Sequence, residues 1–319
     1  MILGIDISKA SFDAVLLLNE KPLYRAFDND LNGFKELQRW LHKAAATHVH
    51  ACLEATGSYG DALAEFLYGS SHTVSVVNPA RIHSYAKSRR SRNKTDKGDA
   101  QLIALFCQNE KPQVWHPPPP EIKELRALVR RVEDLVQMRV QENNRAKANA
   151  HPAVQASLEQ MLASLDEQIK VLRQAIREHT RAHPVLLRRF ELLMSIVGIG
   201  DKTAYKLLAE IDVANFKNAK ALAAFLGLTP KHHTSGTSIR GRPRLSKTGN
   251  SGLRKALYFP AMAALRTCPS MQAFGTRLSA KGKPKMVVIG AVMRKLVHIV
   301  YGVLKHGSPY CTSWSFTCS

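Results

Sequence analysis

The sequence predicts an α/β domain followed by a mainly helical part, and three observations carry that expectation. Residues 1 to 80 alternate short β-type runs with helical patterns. Consecutive prolines, Pro117 to Pro120, then interrupt the chain, and beyond them apolar residues recur at three-four spacing. At 319 residues with 45% hydrophobic content, the chain has enough apolar material for two globular parts and a connector.

The first elements are three β-type runs, Ile2 to Ile7, Phe12 to Leu18 and Leu23 to Phe27, separated by polar turns such as Asn19-Glu20-Lys21-Pro22. They read as a three-stranded meander. A helical pattern follows from about Leu31 to Ala45, then a strand from about His48 to Leu53, a helix near Tyr59 to Leu67 and a strand at Thr73 to Val77. An apolar helix starts around Asp96 and continues through Gln101 to Cys107. This order, βββαβαβα, is that of a ribonuclease H-like mixed sheet flanked by helices. The expected divisions are a catalytic domain at 1–110, a stiff proline linker at 111–120, a helical arm at 121–183 and a mainly helical domain at 184–319.

In the arm, Ile122, Leu125, Val129, Val132 and Val136 form one apolar seam, and Leu158, Met161, Leu165, Ile169, Leu172 and Ile176 form another. The break near His151-Pro152 suggests an antiparallel hairpin or a dimerising coiled-coil arm. A helical part of one monomeric core is the plainer alternative.

Charge narrows the function. The formal net charge is +21, yet residues 1 to 80 hold more acids than bases. After Asp212 there are seventeen Lys and Arg and no Asp or Glu, so a phosphate backbone is the natural partner. The strongest apolar stretch, Met286 to Leu304, contains Arg294, Lys295 and His298 and reads as a buried amphipathic helix rather than a membrane span. No basic segment followed by a long apolar run opens the chain, so a cytoplasmic protein is expected, associated with the nucleoid if its partner is DNA. Five scattered cysteines without a C-x-x-C pair argue against a disulfide framework and against structural zinc.

Four carboxylates stand out against this basic background. Asp6 and Glu54 end β-type runs, so neighbouring central strands would present both from adjacent strand ends. Asp96 and Asp99 are three apart at a helix start and share one face. Hard oxygen donors of this kind select Mg²⁺ or Mn²⁺, and two ions roughly 4 Å apart stabilise the attacking and leaving oxygens of a phosphodiester displacement. Taken singly, each acid has a duller explanation, a strand-end turn or a complement to a helix dipole. Arg89, Arg90, Arg92, Lys94 and Lys97 beside the last two acids favour the joint reading, because a phosphate strand must approach the anionic ligands.

Two further segments point to nucleic acid. Ser195 to Ala204 matches a helix-hairpin-helix, in which Gly198 and Gly200 would admit a phosphate to backbone N–H groups beside Lys202 and Thr203. Arg240, Arg242 and Arg244 resemble a minor-groove arm at the end of a Gly, Ser, Thr and Arg-rich stretch, Leu228 to Gly252, expected to be a functional loop. Thr234, Ser235, Thr237 and Ser238 offer hydroxyls in that loop, and composition does not choose among them.

Taken together, Gly-Ile-Asp-Ile-Ser-Lys, Leu-Glu-Ala-Thr-Gly, Lys-Thr-Asp-x-x-Asp-Ala, Val-Gly-Ile-Gly, Gly-Leu-Thr-Pro and the Ser-Gly loop resemble the DEDD transposases of insertion-sequence family 110, which include the Piv-type invertases. The resemblance implies a RuvC-like domain with metal ligands Asp6, Glu54, Asp96 and Asp99 and a transposase domain with Ser235 as nucleophile. It also implies donor and target DNA as substrates, a structured non-coding bridge RNA as guide, and a homo-oligomer, dimer or tetramer, as the working form. The expected function is a DNA transposase or site-specific recombinase. The competing readings are a RuvC-like junction nuclease acting by hydrolysis, an actin-like kinase and a non-catalytic nucleic-acid-binding protein. The kinase would want glycine soon after Asp6, where Ile7-Ser8-Lys9 stands.

Overall fold

The structure, a computed structural model, describes residues 1–18, 21–55, 57, 59–88, 95–148, 151–235 and 239–311; at 232–235 and 239–243 the backbone alone is described. The chain divides into two compact units, Met1–Pro118 and Pro119–Ser319.

The first unit opens with the expected meander, β1 (Ile2–Ile7), β2 (Ser11–Leu17) and β3 (Pro22–Asp28), paired antiparallel. Helix α1 (Leu31–Lys43) begins at Asp30, whose carboxylate accepts from the Gly33 amide. Strand β4 (His50–Glu54) then lies parallel to β1, helix α2 (Asp61–Gly69) crosses over, and β5 (Thr73–Val77) lies parallel to β4. The strand order is β3-β2-β1-β4-β5. This mixed sheet is compatible with the ribonuclease H-like arrangement. Helix α3 (Pro79–Ser88) was not expected; Ile82 is its buried residue, so it carries no apolar stripe to announce it. Helix α4 (Asp96–Glu110) completes the unit.

Strand alternation sorts the sheet into two faces. Leu3, Ile5 and Ile7 join Phe34, Leu37 and Leu41 of α1 and Leu63 and Leu67 of α2 in one core. On the other face Val15 packs with Ala100 and Ala104 of α4, and Cys52 and Val77 pack with Ile103, Phe106 and Cys107. After α4 the chain returns to the sheet, where Trp115 N donates to the Val74 carbonyl and Ser75 Oγ donates to that of Gln113.

In the second unit the last proline of the run opens α5 (Pro120–Ala148), a position where a missing N–H costs nothing. Its partner α6 (Pro152–Ala182) runs antiparallel: Arg139 bonds Asp166 at 2.7 Å, Gln155 bonds the Ala146 carbonyl, and His179 bonds that of Glu121. Leu135, Leu165 and Ile169 fill the middle of this helical hairpin, and Leu125, Val129 and Ile176 at its base join the main core.

That core gathers α7 (Pro184–Met194), α8 (Asp201–Glu210), a 3₁₀ turn at Val213–Asn215 and α9 (Ala219–Phe225). The Leu228 to Gly252 stretch is not the irregular loop expected. It forms a two-stranded antiparallel ribbon, β6 (Pro230–Ser235) and β7 (Ile239–Leu245), with a register shift between Lys231 and His233. Pro243 is tolerated because every strand of a two-stranded ribbon is an edge. Its composition of Gly, Arg and Thr hides the pairing, which is fixed by backbone bonds rather than by an apolar face.

Helices α10 (Ser251–Ala256), α11 (Tyr258–Thr267), α12 (Pro269–Ala280) and α13 (Lys285–His306) close the unit. Helix α13 is long and apolar enough to cross a membrane, but Val292, Leu296, Val297, Val300 and Val303 are buried in the core. It is the buried amphipathic helix read from the sequence.

Candidate active site

Asp6 is the penultimate residue of β1, and Glu54 ends the neighbouring parallel strand β4. The register pairs Ile5 with Leu53, so Asp6 and Glu54 follow as adjacent strand-end positions. Alternation places Asp6 on the face of Gly4 and Glu54 on the face of Cys52, which is the face that α4 covers.

Helix α4 brings the other two acids. Thr95 caps it, its hydroxyl accepting from the Gly98 amide at 3.1 Å, and Asp96 and Asp99 occupy its first turn. Both therefore complement the helix dipole. They also act on Asp6. Its carboxyl is pushed up from 3.8 to about 6, first by burial and then by the negative charges of Asp99, Glu54, Asp96 and Asp13. The four sequence-predicted acids thus form one electrostatic group.

Gly4 makes this possible. A Cβ there would fall onto the Ala100 carbonyl oxygen and the Ala104 amide nitrogen, so α4 lies directly on the backbone of β1. Ala100 is one turn beyond Asp96, and this contact carries the start of α4 to the end of β1.

An all-carboxylate donor set, in which burial first and the neighbouring charges second raise the pKa of the Asp6 carboxyl, fits a hard divalent cation. Among the described residues no three of the His, Cys, Asp or Glu side chains stand close enough together to hold a metal ion.

Sequence reasoning missed Asp13 and Tyr24. Asp13 is the direct partner of Asp6 across the β1–β2 pair. Tyr24 of β3 donates its hydroxyl to Asp13 Oδ1 at 2.6 Å, a bond that pushes the phenol's own pKa up. The signal was the hairpin: Ser8 and Ser11 close its turn through N–H and hydroxyl bonds to the Ser11 carbonyl, and counting outward from that turn places Asp13 opposite Asp6. Lys97 lies in the first turn of α4 with its ammonium 5.3 Å from the centre of the Tyr24 ring. Arg89, Arg90, Arg92 and Lys94 lie outside the described residues.

In the second unit, α7 and α8 flank the turn at Ser195 to Gly200. The two glycines differ in role. Gly198 has φ +94°, and a Cβ on it would stand 2.5 Å from the Pro260 carbonyl oxygen, so it serves packing against α11. Gly200 precedes α8 and faces open space. The second amide of the turn beyond it is engaged locally, Lys202 N donating to Asp201 Oδ1 at 2.7 Å. Thr203 sits in the same first turn.

Ser235 ends β6, where its backbone pairs with Ile239; Arg240 pairs with Thr234, and Arg242 follows on β7. The side chains of Ser235, Arg240 and Arg242 lie outside the described residues, and Thr237 and Ser238 lie outside them altogether. Arg244 is exposed on β7, opposite Lys231. The ribbon is rooted on α13, where Arg294 Nη1 donates to the Leu228 carbonyl at 3.2 Å and Leu245 lies against Gly290.

Carboxylates gathered at the ends of central strands, joined in one chain to a helical unit that has no acid after Asp212, are the equipment of a DNA-recombining enzyme. Comparison with known proteins agrees. Residues 3–151 match a transposase family model of the IS110 DEDD type, and residues 190–276 match that of the IS116/IS110/IS902 transposase family. The chain is 36% identical to the pilin gene-inverting protein of Moraxella bovis over 97% of both chains, and equally to that of Moraxella lacunata. It is 27% identical to the transposase for insertion sequence element IS1111A of Coxiella burnetii, over 67% of this chain and 65% of the relative. The protein belongs to the IS110 family of transposases and DNA recombinases.

Proposed function

We propose that this member cuts and rejoins donor and target DNA through a serine nucleophile, with Asp6, Glu54, Asp96 and Asp99 holding Mg²⁺ or Mn²⁺ on a ribonuclease H-like sheet. The observation that carries the reading is the placement of the acids, Asp6 and Glu54 at neighbouring strand ends and Asp96 and Asp99 in the first turn of the helix that Gly4 seats on β1. Evolutionary membership in a DEDD-type family agrees with divalent metal use in general. A bound cation would neutralise the clustered acids and stabilise charge on the phosphate oxygens.

The chain's own groups divide the remaining work. Ser235 attacks the phosphorus: a bond from its Oγ to phosphorus forms as the bond to a bridging DNA oxygen breaks, the serine hydroxyl loses its proton, and the departing oxygen takes one up. Attack by a second DNA hydroxyl reverses the step, so the energy of the phosphodiester is retained without ATP. The α7–α8 turn, with Gly200, Lys202 and Thr203, would contact the DNA backbone without reading sequence. Arg240, Arg242 and Arg244 add positive charge along the serine ribbon. The α5–α6 hairpin would assemble protomers as a coiled coil, and a bridge RNA would supply the sequence address.

The test is incubation of the protein with its flanking non-coding RNA, Mg²⁺, and donor and target DNA, followed by denaturing gels, with Ser235→Ala alongside. A protein–DNA adduct that requires Ser235 supports the reading; free ends without an adduct would replace it with hydrolytic cleavage. The two Moraxella relatives favour a second reading of the outcome, inversion of a DNA segment rather than its movement. A plasmid carrying the recombination sites in inverted orientation separates the two, since inversion changes its restriction pattern and releases no circle.

A further inference from the structure

Tyr24 occupies an unusual place for a large aromatic side chain. It is 41% exposed on β3, a strand whose side chains are nearly all turned to solvent. Both ends of it are nevertheless engaged by charge: the hydroxyl by Asp13, the ring by Lys97. Asp13 pairs directly with Asp6, and Lys97 stands between Asp96 and Asp99 in the sequence of the α4 first turn. One side chain thereby joins the meander to the helix turn that carries half of the acid group.

Repulsion gives that link a task. The charges of Asp99, Glu54 and Asp96 act against that of Asp6, and Asp96 lies one turn before Ala100, which packs on Gly4. That charge pushes the start of the helix, where Asp96 and Lys97 are exposed, away from the end of β1. An ammonium held over a ring that is itself anchored to β2 opposes the push. The hydroxyl bond, in turn, fixes the rotamer of Asp13 beside Asp6.

We propose that Tyr24 is a positioning residue for the acid group, its ring holding Lys97 and with it Asp96 and Asp99, its hydroxyl holding Asp13 next to Asp6. The proposal rests on the reading of these acids as metal ligands. Outer partners that orient ligands typically change metal affinity while leaving the ligands themselves intact.

Direct Mn²⁺ binding to the full-length protein, followed by the electron paramagnetic resonance of the free ion, tests it in wild type, Tyr24→Phe, Tyr24→Ala and an Asp6→Asn control. Tyr24→Ala is expected to weaken Mn²⁺ binding about tenfold with its urea midpoint retained, and Tyr24→Phe, which keeps the ring, to fall between it and wild type. Binding by Tyr24→Ala within about twofold of wild type would overturn the proposal. Amide exchange of residues 97–100 in metal-free protein separates this failure from that of the metal reading. Wild type that binds no Mn²⁺ through Asp6 defeats the metal reading, whereas unchanged exchange at 97–100 in Tyr24→Ala defeats the positioning role whatever the metal does. Should Tyr24→Ala fail to fold, Lys97→Met removes the cation and is expected to give the same weakening and faster exchange; neither change appearing would also overturn it.

Discussion

Gly4 and Ala100 are in backbone contact, the α carbon of the strand residue lying against the carbonyl of the helix residue. No other amino acid fits between them, since a Cβ on Gly4 meets main-chain atoms that cannot rotate away. The closeness of the two elements determines how near Asp96 and Asp99 come to Asp6.

Gly4→Ala is accordingly expected to lower the stability of the protein by about 3 kcal/mol, the upper end of the cost of forcing an extra carbon into a packed interior. Urea denaturation measures it. Because α4 must move outward, the Asp6 carboxyl should also return toward its ordinary range, which carbonyl-region NMR of labelled aspartate reads.

Asp6→Asn should raise the stability of the metal-free protein at pH 8. The folded-state pKa of Asp6 is above its unfolded value, so its ionisation opposes folding: the stability associated with the protonated form is complete below about 4 and is lost as pH rises through about 6. The gain on substitution at pH 8 is of the order of 1 kcal/mol, discounted for the partial exposure of the group, and it should vanish near pH 4. A gain of equal size at both pH values would argue against charge repulsion as its source. The same variant should lose DNA strand cleavage.

Lys206 has a side chain 10% exposed and bonds Glu133 at 2.6 Å, with Glu210 at 3.6 Å, where Arg130 also bonds Glu210. This group fastens α5 to α8. Lys206→Ala removes the nearly buried ammonium that the two acids share, leaving Glu210 to Arg130, and should cost about 2 kcal/mol, whereas Glu133→Ala, at a half-exposed position with Glu210 still present, should cost about 1 kcal/mol. Equal losses in thermal or urea unfolding would contradict this asymmetry.

The α7–α8 turn separates packing from binding. Gly198→Ala, at φ +94° and against the Pro260 carbonyl, should cost about 2 kcal/mol or more in stability. Lys202→Ala should unfold within about 0.5 kcal/mol of wild type while binding nonspecific DNA more weakly, with the slope of log affinity against log salt reduced by about 1. Fluorescence anisotropy across a salt series measures it; an unchanged slope would remove Lys202 from the DNA contact.

Much of the acid group is legible in the order of residues alone. Asp6 and Glu54 end runs whose β character is written in their own side chains, and Thr95, Asp96 and Asp99 carry the capping signs of a helix start. Asp13 is not legible in the same way, because its place beside Asp6 depends on hairpin register and not on the composition of either strand. The β6–β7 ribbon escapes for a related reason: its residues lack an alternating apolar face, and its pairing is made by backbone bonds.

By itself, then, the sequence determined the order and type of most elements, the basic character of everything after Asp212, and the family motifs that mark the chain as a DNA recombinase. The tertiary structure alone decided that Gly4 is the seat of α4, that Gly198 serves packing while Gly200 stays open, and that Asp13 and Tyr24 border the acids. Local propensity and periodicity act over a few neighbouring residues. Close approach, strand register and the mutual repulsion of charges distant in sequence exist only once the chain has folded back on itself.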